Sequence, residues 1–225
     1  MKKNILLCLT VGCAFALTQA NSASAAGVFQ NGSFEEGNPM FDANGWSSQP
    51  VNSIVITGWE VYSAALAVGR SVNNANIPPS NGDRFLDLTS YLDNAPYGGV
   101  RQEFLTSPGQ SYVVTLDLGV SAENPAFNGP VSIDANVNAG GGVSRTFTLA
   151  PVTSGSSWST YNFQFLATDA STILSIVGTQ AHGGAYIGLD NVTLAAVPEP
   201  YQYSLIGVTG LLGLAGWTRL RRKAA

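Results

Sequence analysis

The sequence predicts an all-β chain, a two-sheet antiparallel β-sandwich flanked by an N-terminal signal peptide and a C-terminal transmembrane helix. Three observations predict it. Apolar residues in the body of the chain alternate with period two, and no stretch there repeats with helical period. Turn-forming clusters separate the alternating runs at short intervals. Nine or ten short strands at that spacing fit two packed sheets, with a β-barrel as the alternative.

The clearest strand runs from Tyr112 through Val114 and Leu116 to Leu118, with Val113, Thr115, Asp117 and Gly119 on its other face. Val131, Ile133, Ala135 and Val137 alternate in the same way, as do Tyr161, Phe163 and Phe165. Such patterns mark half-buried antiparallel strands. Further strands are expected at Ile54 to Ile56, Trp59 to Ala65, Phe85 to Leu88, Val100 to Phe104, Arg145 to Leu149, Thr172 to Val177 and Ala185 to Leu194. Pro78-Pro79-Ser80-Asn81-Gly82, Ser107-Pro108-Gly109, Asn128-Gly129-Pro130 and Gly140-Gly141-Gly142 punctuate them. In the last strand Ile187 and Leu189 have one parity, Val192 and Leu194 the other. A β-bulge at Asp190-Asn191 would keep all four apolar side chains inside.

The two ends read as targeting segments. Lys2 and Lys3, the apolar stretch Ile5 to Leu17 and the small residues Ala23-Ser24-Ala25 have the layout of a secretory signal peptide, so residues 1–26 are set apart from the fold. The body is residues 27–195 and the tail residues 196–225. In the tail, Pro198-Glu199-Pro200 precedes a Gly/Leu-rich apolar run that ends at Trp217, followed by Arg219, Arg221, Arg222 and Lys223. The run is just long enough for a membrane span, and the basic stop places its end in the cytoplasm. These residues resemble the PEP-CTERM sorting signal of Gram-negative bacteria. The resemblance implies processing by an exosortase, transient residence in the inner membrane, and delivery to the cell envelope or an exopolysaccharide matrix.

Composition narrows the function. Both cysteines, Cys8 and Cys13, lie in the leader, so the body folds outside the cell without disulfides and has no thiol for metal or catalysis. It carries thirteen Asp and Glu against four Arg and no Lys, a net charge of −9. A nucleic-acid binder needs a basic stripe, and this chain has none, so nucleic acid is excluded as a partner. One histidine and no body cysteine argue against zinc.

Asn31-Gly32-Ser33-Phe34-Glu35, Thr57-Gly58-Trp59, Gly99-Val100-Arg101-Gln102-Glu103-Phe104, Ser107-Pro108-Gly109-Gln110-Ser111-Tyr112 and Leu189-Asp190-Asn191-Val192-Thr193-Leu194 occur in that order. Together they resemble the galactose-binding-like jelly rolls, which include extracellular carbohydrate-binding modules. The resemblance implies a structural calcium ion held by Glu35 and Asp190, with Asn31 as a further ligand. It would fasten the first strand to the last. Solvated carboxylates, or carboxylates capping backbone amides, are the alternative for the same residues.

Sugar recognition needs aromatic faces for the C–H face of a pyranose and planar polar groups for its hydroxyls. Trp46, Tyr91, Tyr97 and His182 lie in loop-like, Gly/Asn-rich contexts, and Arg101 with Gln102 sits on a strand near Tyr97. Catalysis has less to stand on. His182-Gly183-Gly184 lacks any Gly-x-Ser-x-Gly partner, and the carboxylates Glu35, Glu36, Glu60, Asp87, Glu103 and Asp117 show no nucleophile–base pattern. The expectation is therefore an exported, non-enzymatic polysaccharide-binding module. A structural or adhesive matrix protein, or a secreted hydrolase, are the alternatives.

Overall fold

A computed structural model describes residues 29–89, 95–123, 129–180 and 186–198. Its eleven strands are β1 (Trp46–Gln49), β2 (Glu60–Tyr62), β3 (Leu66–Arg70), β4 (Arg84–Asp87), β5 (Gly99–Leu105), β6 (Ser111–Ser121), β7 (Val131–Val137), β8 (Val143–Leu149), β9 (Ser156–Leu166), β10 (Ser171–Gln180) and β11 (Gly188–Ala196). They form a six-stranded sheet in the order β1-β3-β4-β11-β6-β9 and a five-stranded sheet in the order β2-β5-β10-β7-β8. All pairings are antiparallel. The two-sheet sandwich expected from the alternation is the observed architecture.

The main core lies between the sheets. Val114, Leu116 and Leu118 of β6 meet Val131, Ile133 and Ala135 of β7 and Leu174 and Ile176 of β10 in one buried cluster. Burial of these aliphatic faces supplies most of the drive to fold, about 25 cal/mol for each Å² of apolar surface removed from water. The strand expected at Ile54 to Ile56 is only a single bridge, Gly37 to Ile56. β1 and β3 were not expected; β3 reads Leu-Ala-Val-Gly-Arg and is buried at its first four positions, so it shows no polar–apolar alternation.

The bulge in β11 forms where the change of parity placed it. Pairing with β6 shifts register between Asp190 and Thr193, and Asn191 has φ 49°. Ile187, Leu189 and Val192 are all buried, and Leu194 packs on the same core. Val192 N donates to Gly32 O at 2.8 Å, so the opening segment lies against the bulge of the last strand.

A second, smaller core covers the outer face of the six-stranded sheet. The β3–β4 connection, residues 71–83, crosses this face and buries Ile77 against Trp46, Ala67, Phe85 and Tyr186, with Trp158 packed beside them. Phe85 meets Trp46 and Tyr186 edge-on, with centroids 5.6 and 5.7 Å apart. Glycines make room for the rings. A methyl group on Gly119 would fall 2.7 Å from the Trp158 ring, and one on Gly188 would fall 2.3 Å from the Tyr186 hydroxyl.

Candidate functional site

The outer face of the five-stranded sheet carries no such strap among the described residues. Val61 points inward, so Glu60 and Tyr62 on either side of it point outward. In β5, Arg101 and Glu103 share that outward parity while Gln102 is buried. Register places Glu60 opposite Arg101, and Glu103 opposite Ile173 of β10. Glu60, Arg101, Gln102, Glu103 and Ile173, with Ile54 and Thr57, line a depression of about 630 Å³, and Tyr62 stands beside it next to Arg101.

Arg101 organises it. Its Nε donates to Glu60 Oε2 at 3.0 Å and its Nη2 to Glu60 Oε1 at 2.7 Å, a two-pronged ion pair. Its guanidinium carbon stands 5.0 Å from the centroid of the Tyr62 ring. The hydrogen bond to Glu60, with the charges of Glu60 and Tyr62 adding to it, raises the Arg101 pKa above its usual value. Ser171 Oγ donates to Glu103 Oε1 at 2.7 Å on the neighbouring strand. The result is a plane of fixed donors and acceptors beside an aromatic ring that is 41% exposed. Such a surface can hydrogen-bond a polyhydroxylated ligand and cover its apolar face at once.

Of the expected ligand residues, the three that are described, Trp46, Tyr97 and Arg101, lie apart. Arg101 lies at the depression. Trp46, expected in a loop, is on β1 on the outer face of the opposite sheet and is only 8% exposed. Its Nε1 donates to Asn74 Oδ1 at 2.8 Å, because the strap folds over it. Tyr97 is half-buried against the edge of the main core, close to Gly178. Tyr91 and His182 lie outside the described residues. Gln102 is spent on the backbone of Gln30, accepting from its N–H at 2.8 Å and donating to its carbonyl at 3.0 Å. Tyr62 and Glu60 were not singled out from the sequence. The inward Val61 between them carried the signal for their outward facing, but nothing local showed that Arg101 would stand opposite.

The expected calcium ligands do meet on one turn. Glu35 Oε1 accepts the amides of Asp83 and Arg84, at 2.8 and 2.7 Å. Asp190 Oδ2 accepts the amide of Asn81 at 2.8 Å. The opening motif and the last strand thus grip the two flanks of the same 80–84 turn. Asn31 serves elsewhere: its Nδ2 donates to Glu36 O and Thr57 O, and its Oδ1 accepts from Glu36 N. Its side chain is therefore a clamp on backbone, and Glu35 and Asp190 are both seen capping backbone amides of the turn, the alternative expected for the same carboxylates. Among the described residues no three His, Cys, Asp or Glu side chains gather as a metal group; calcium would draw its remaining oxygens from carbonyls of the turn.

Asp190 is fully buried. Desolvation pushes its pKa up to about 7, aided by the charge of Asp117 and opposed by the amides of Asn81, Asn191 and Ser80. Asp117 accepts from Ser80 Oγ at 2.5 Å, Thr160 Oγ1 at 2.7 Å and Asn191 Nδ2 at 3.0 Å. Burial also raises the Tyr186 pKa well above the ordinary phenol value, with Asp87 and Asp190 adding to the rise.

At the carboxyl end, Val197 N donates to Ser111 O and Val197 O accepts from Gln110 Nε2, which fastens the last strand to the start of β6. Pro198 follows and is exposed. Glu199, Pro200, the apolar run, Arg221 and Arg222 lie outside the described residues, as does the leader. Among the described residues no helix is long and apolar enough to cross a membrane.

A family model described as "Protein of unknown function (DUF642)" matches residues 27–194. No curated protein matches the chain in sequence. Among solved structures it is similar to a CBM61 module in complex with β-1,4-galactotriose, at 16% identity and TM-score 0.44, covering 75% of this chain and 97% of that one. It is also similar to the CBM22-1 xylan-binding domain of Xyn10C from Paenibacillus barcinonensis, at 17% identity and TM-score 0.40, covering 74% and 92%. The tandem CBM22-1–CBM22-2 domain of the same protein aligns at 16% identity and TM-score 0.45, covering 79% of this chain and 48% of that one.

Proposed function

The chain belongs to the DUF642 family, and from that premise we propose that it is an exported, non-catalytic polysaccharide-binding module that takes its glycan at the Arg101–Glu60 depression and the Tyr62 ring beside it. One observation carries the reading. A two-pronged Arg101–Glu60 pair lines an open depression with apolar walls at Ile54 and Ile173, and an exposed tyrosine ring, Tyr62, stands against Arg101 at its side. A pyranose offers a C–H face to the ring and hydroxyls to the planar groups. The pair holds both groups in place before ligand arrives, which lowers the ordering cost of binding.

Binding of the full-length chain to a glycan array tests it, with Tyr62→Ala as the control. Loss of signal in that variant supports the assignment. Uniform lack of binding by the native chain, with and without calcium, overturns it.

Calcium belongs to the same proposal. Glu35 and Asp190 would hold an ion at the 80–84 turn, and its role there is to tie the chain's opening segment to its last strand. An added EDTA dose would then lower the melting midpoint, because an ion bound to the native state adds stability. An unchanged melt removes calcium from the account.

Export rests on the two ends of the sequence. The leader directs passage across the inner membrane, and the Pro198-Glu199-Pro200 tail with Arg221 and Arg222 directs exosortase processing and delivery to the envelope or matrix of a Gram-negative-type bacterium. Fractionation and intact-mass analysis of the mature protein test this; a product that retains the tail sinks it. The separation of Trp46, Tyr97 and Arg101 favours the second reading, an adhesive matrix component without a small ligand. That reading requires self-association or protein partners and no glycan affinity.

A further inference from the structure

Away from the depression, the least used chemistry on the described surface is a pair of arginines on Phe41. Arg70 closes β3, Arg84 opens β4, and the register sets them directly opposite one another. Residues so paired leave the sheet on the same side, with Cβ atoms about 5 Å apart. Both guanidinium groups stack over the one ring, at 5.0 Å for Arg70 and 5.6 Å for Arg84.

Like charges directly opposite destabilise a strand pair unless a counter-charge joins them. Among the described residues the one ion pair is Arg101 with Glu60, so neither arginine has a carboxylate of those residues within ion-pair distance. Arg84 Nη1 reaches only the Gly37 carbonyl, at 3.4 Å, and the buried Arg70 Nε has no acceptor there. Nearby acids are engaged elsewhere. Glu35 Oε1 holds the Asp83 and Arg84 amides, Asp83 accepts from Ser71 Oγ, and Asp42 Oδ1 accepts the Asn44 and Trp46 amides. A body of net charge −9 has only four arginines, and two of them stand here.

We propose that Arg70 and Arg84, backed by Phe41, form a contact for an oxyanion carried on an acidic polysaccharide, either a uronate carboxylate or a sulfate ester. The inference rests on the polysaccharide reading and names its substrate class. A bound oxyanion supplies the missing counter-charge. Guanidinium donors suit the planar, two-pronged geometry of such groups. Phe41 holds the side chains from behind and excludes water from one side of the contact.

The test measures binding of the full-length chain to polygalacturonate, dextran sulfate and neutral dextran at low and high salt, with melting midpoints for every variant. The native chain is expected to favour a charged polymer by about tenfold, with the advantage lost at about 0.5 M salt. Arg84→Gln removes the advantage; Arg70→Lys, which keeps the charge but not the fork, retains part of it. Preference for polygalacturonate alone identifies the carboxylate, and preference for dextran sulfate alone the sulfate ester. Tyr62→Ala lowers affinity for all three polymers and leaves the charge preference intact. Equal binding to charged and neutral polymers, or an Arg84→Gln variant that melts normally and keeps its preference, overturns this inference while leaving the depression in place. Binding to none of the three overturns both.

Discussion

The two outer faces of the sandwich begin from similar material and end differently. Each carries aromatic rings, carboxylates and hydroxyls. On the six-stranded sheet the 71–83 strap lies over them, and Trp46, Phe85 and Tyr186 become a second core. On the five-stranded sheet no described segment straps the strands, and Tyr62 is partly exposed beside a fixed ion pair. A ring becomes a wall or a ligand platform according to what the connection above it does. The difference is set by one long connection, not by the strands beneath.

The largest effect that would break this contrast comes from the covered face. Phe85→Ala removes the ring on which Trp46, Tyr186 and Trp158 pack, and should cost about 3–5 kcal/mol of stability. Denaturant unfolding measures it. Glycan affinity per folded molecule should not change, and a loss there would mean that the covered face takes part in binding.

The next effect is a pH dependence from the same face. The Asp190 pKa is about 7 in the fold, against roughly 3.9 in an unfolded chain. The native state therefore holds a proton that the unfolded chain releases. The Asp190 contribution to stability is complete below the unfolded pKa and is lost as pH rises through about 7, by on the order of 4 kcal/mol at most. In EDTA the stability attributable to this group should fall across that window, and Asp190→Asn should flatten the fall. Saturating calcium should also flatten it if the ion holds the carboxylate ionised.

Smaller effects sharpen the bare face. Tyr62→Ala should weaken glycan binding about tenfold, or 1.4 kcal/mol, with little change in the melting midpoint. Arg101→Lys keeps the charge and loses the two-pronged geometry, so isothermal titration should show a smaller, few-fold loss. A variant at either position that unfolds the protein would show that this face is structural after all.

Much of the sandwich was legible because period-two patterning is local. The long strands β6, β7 and β9 alternate along their own sequence, and the bulge in β11 announced itself as a change of parity at Asp190-Asn191. β1, with a single apolar residue in Trp-Ser-Ser-Gln, has no alternation to read, and β3 escaped because the strap buries one of its faces and the main core the other, which erases the polar half of the pattern. Trp46 misled for the same reason: Gly45 and Asn44 beside it look like loop residues, while its burial depends on Ile77 about thirty positions away. The resemblance named Glu35, Asp190 and Asn31 together; in the fold Glu35 and Asp190 accept backbone amides of the same 80–84 turn, while Asn31 bonds to the backbone of Glu36 and Thr57, an arrangement seen only in three dimensions. The Arg101–Glu60 pair joins residues 41 positions apart, and no spacing rule announces such a partner.

The seating of β11 between β4 and β6 has a mechanical consequence. A pull on the chain at Pro198 runs along this strand, which β6 grips over most of its length and β4 at Gly188 and Leu189. Tension would have to slide β11 lengthwise along its ladder with β6 and tear the Val197 clasp from Ser111 and Gln110, rather than peel bonds one at a time.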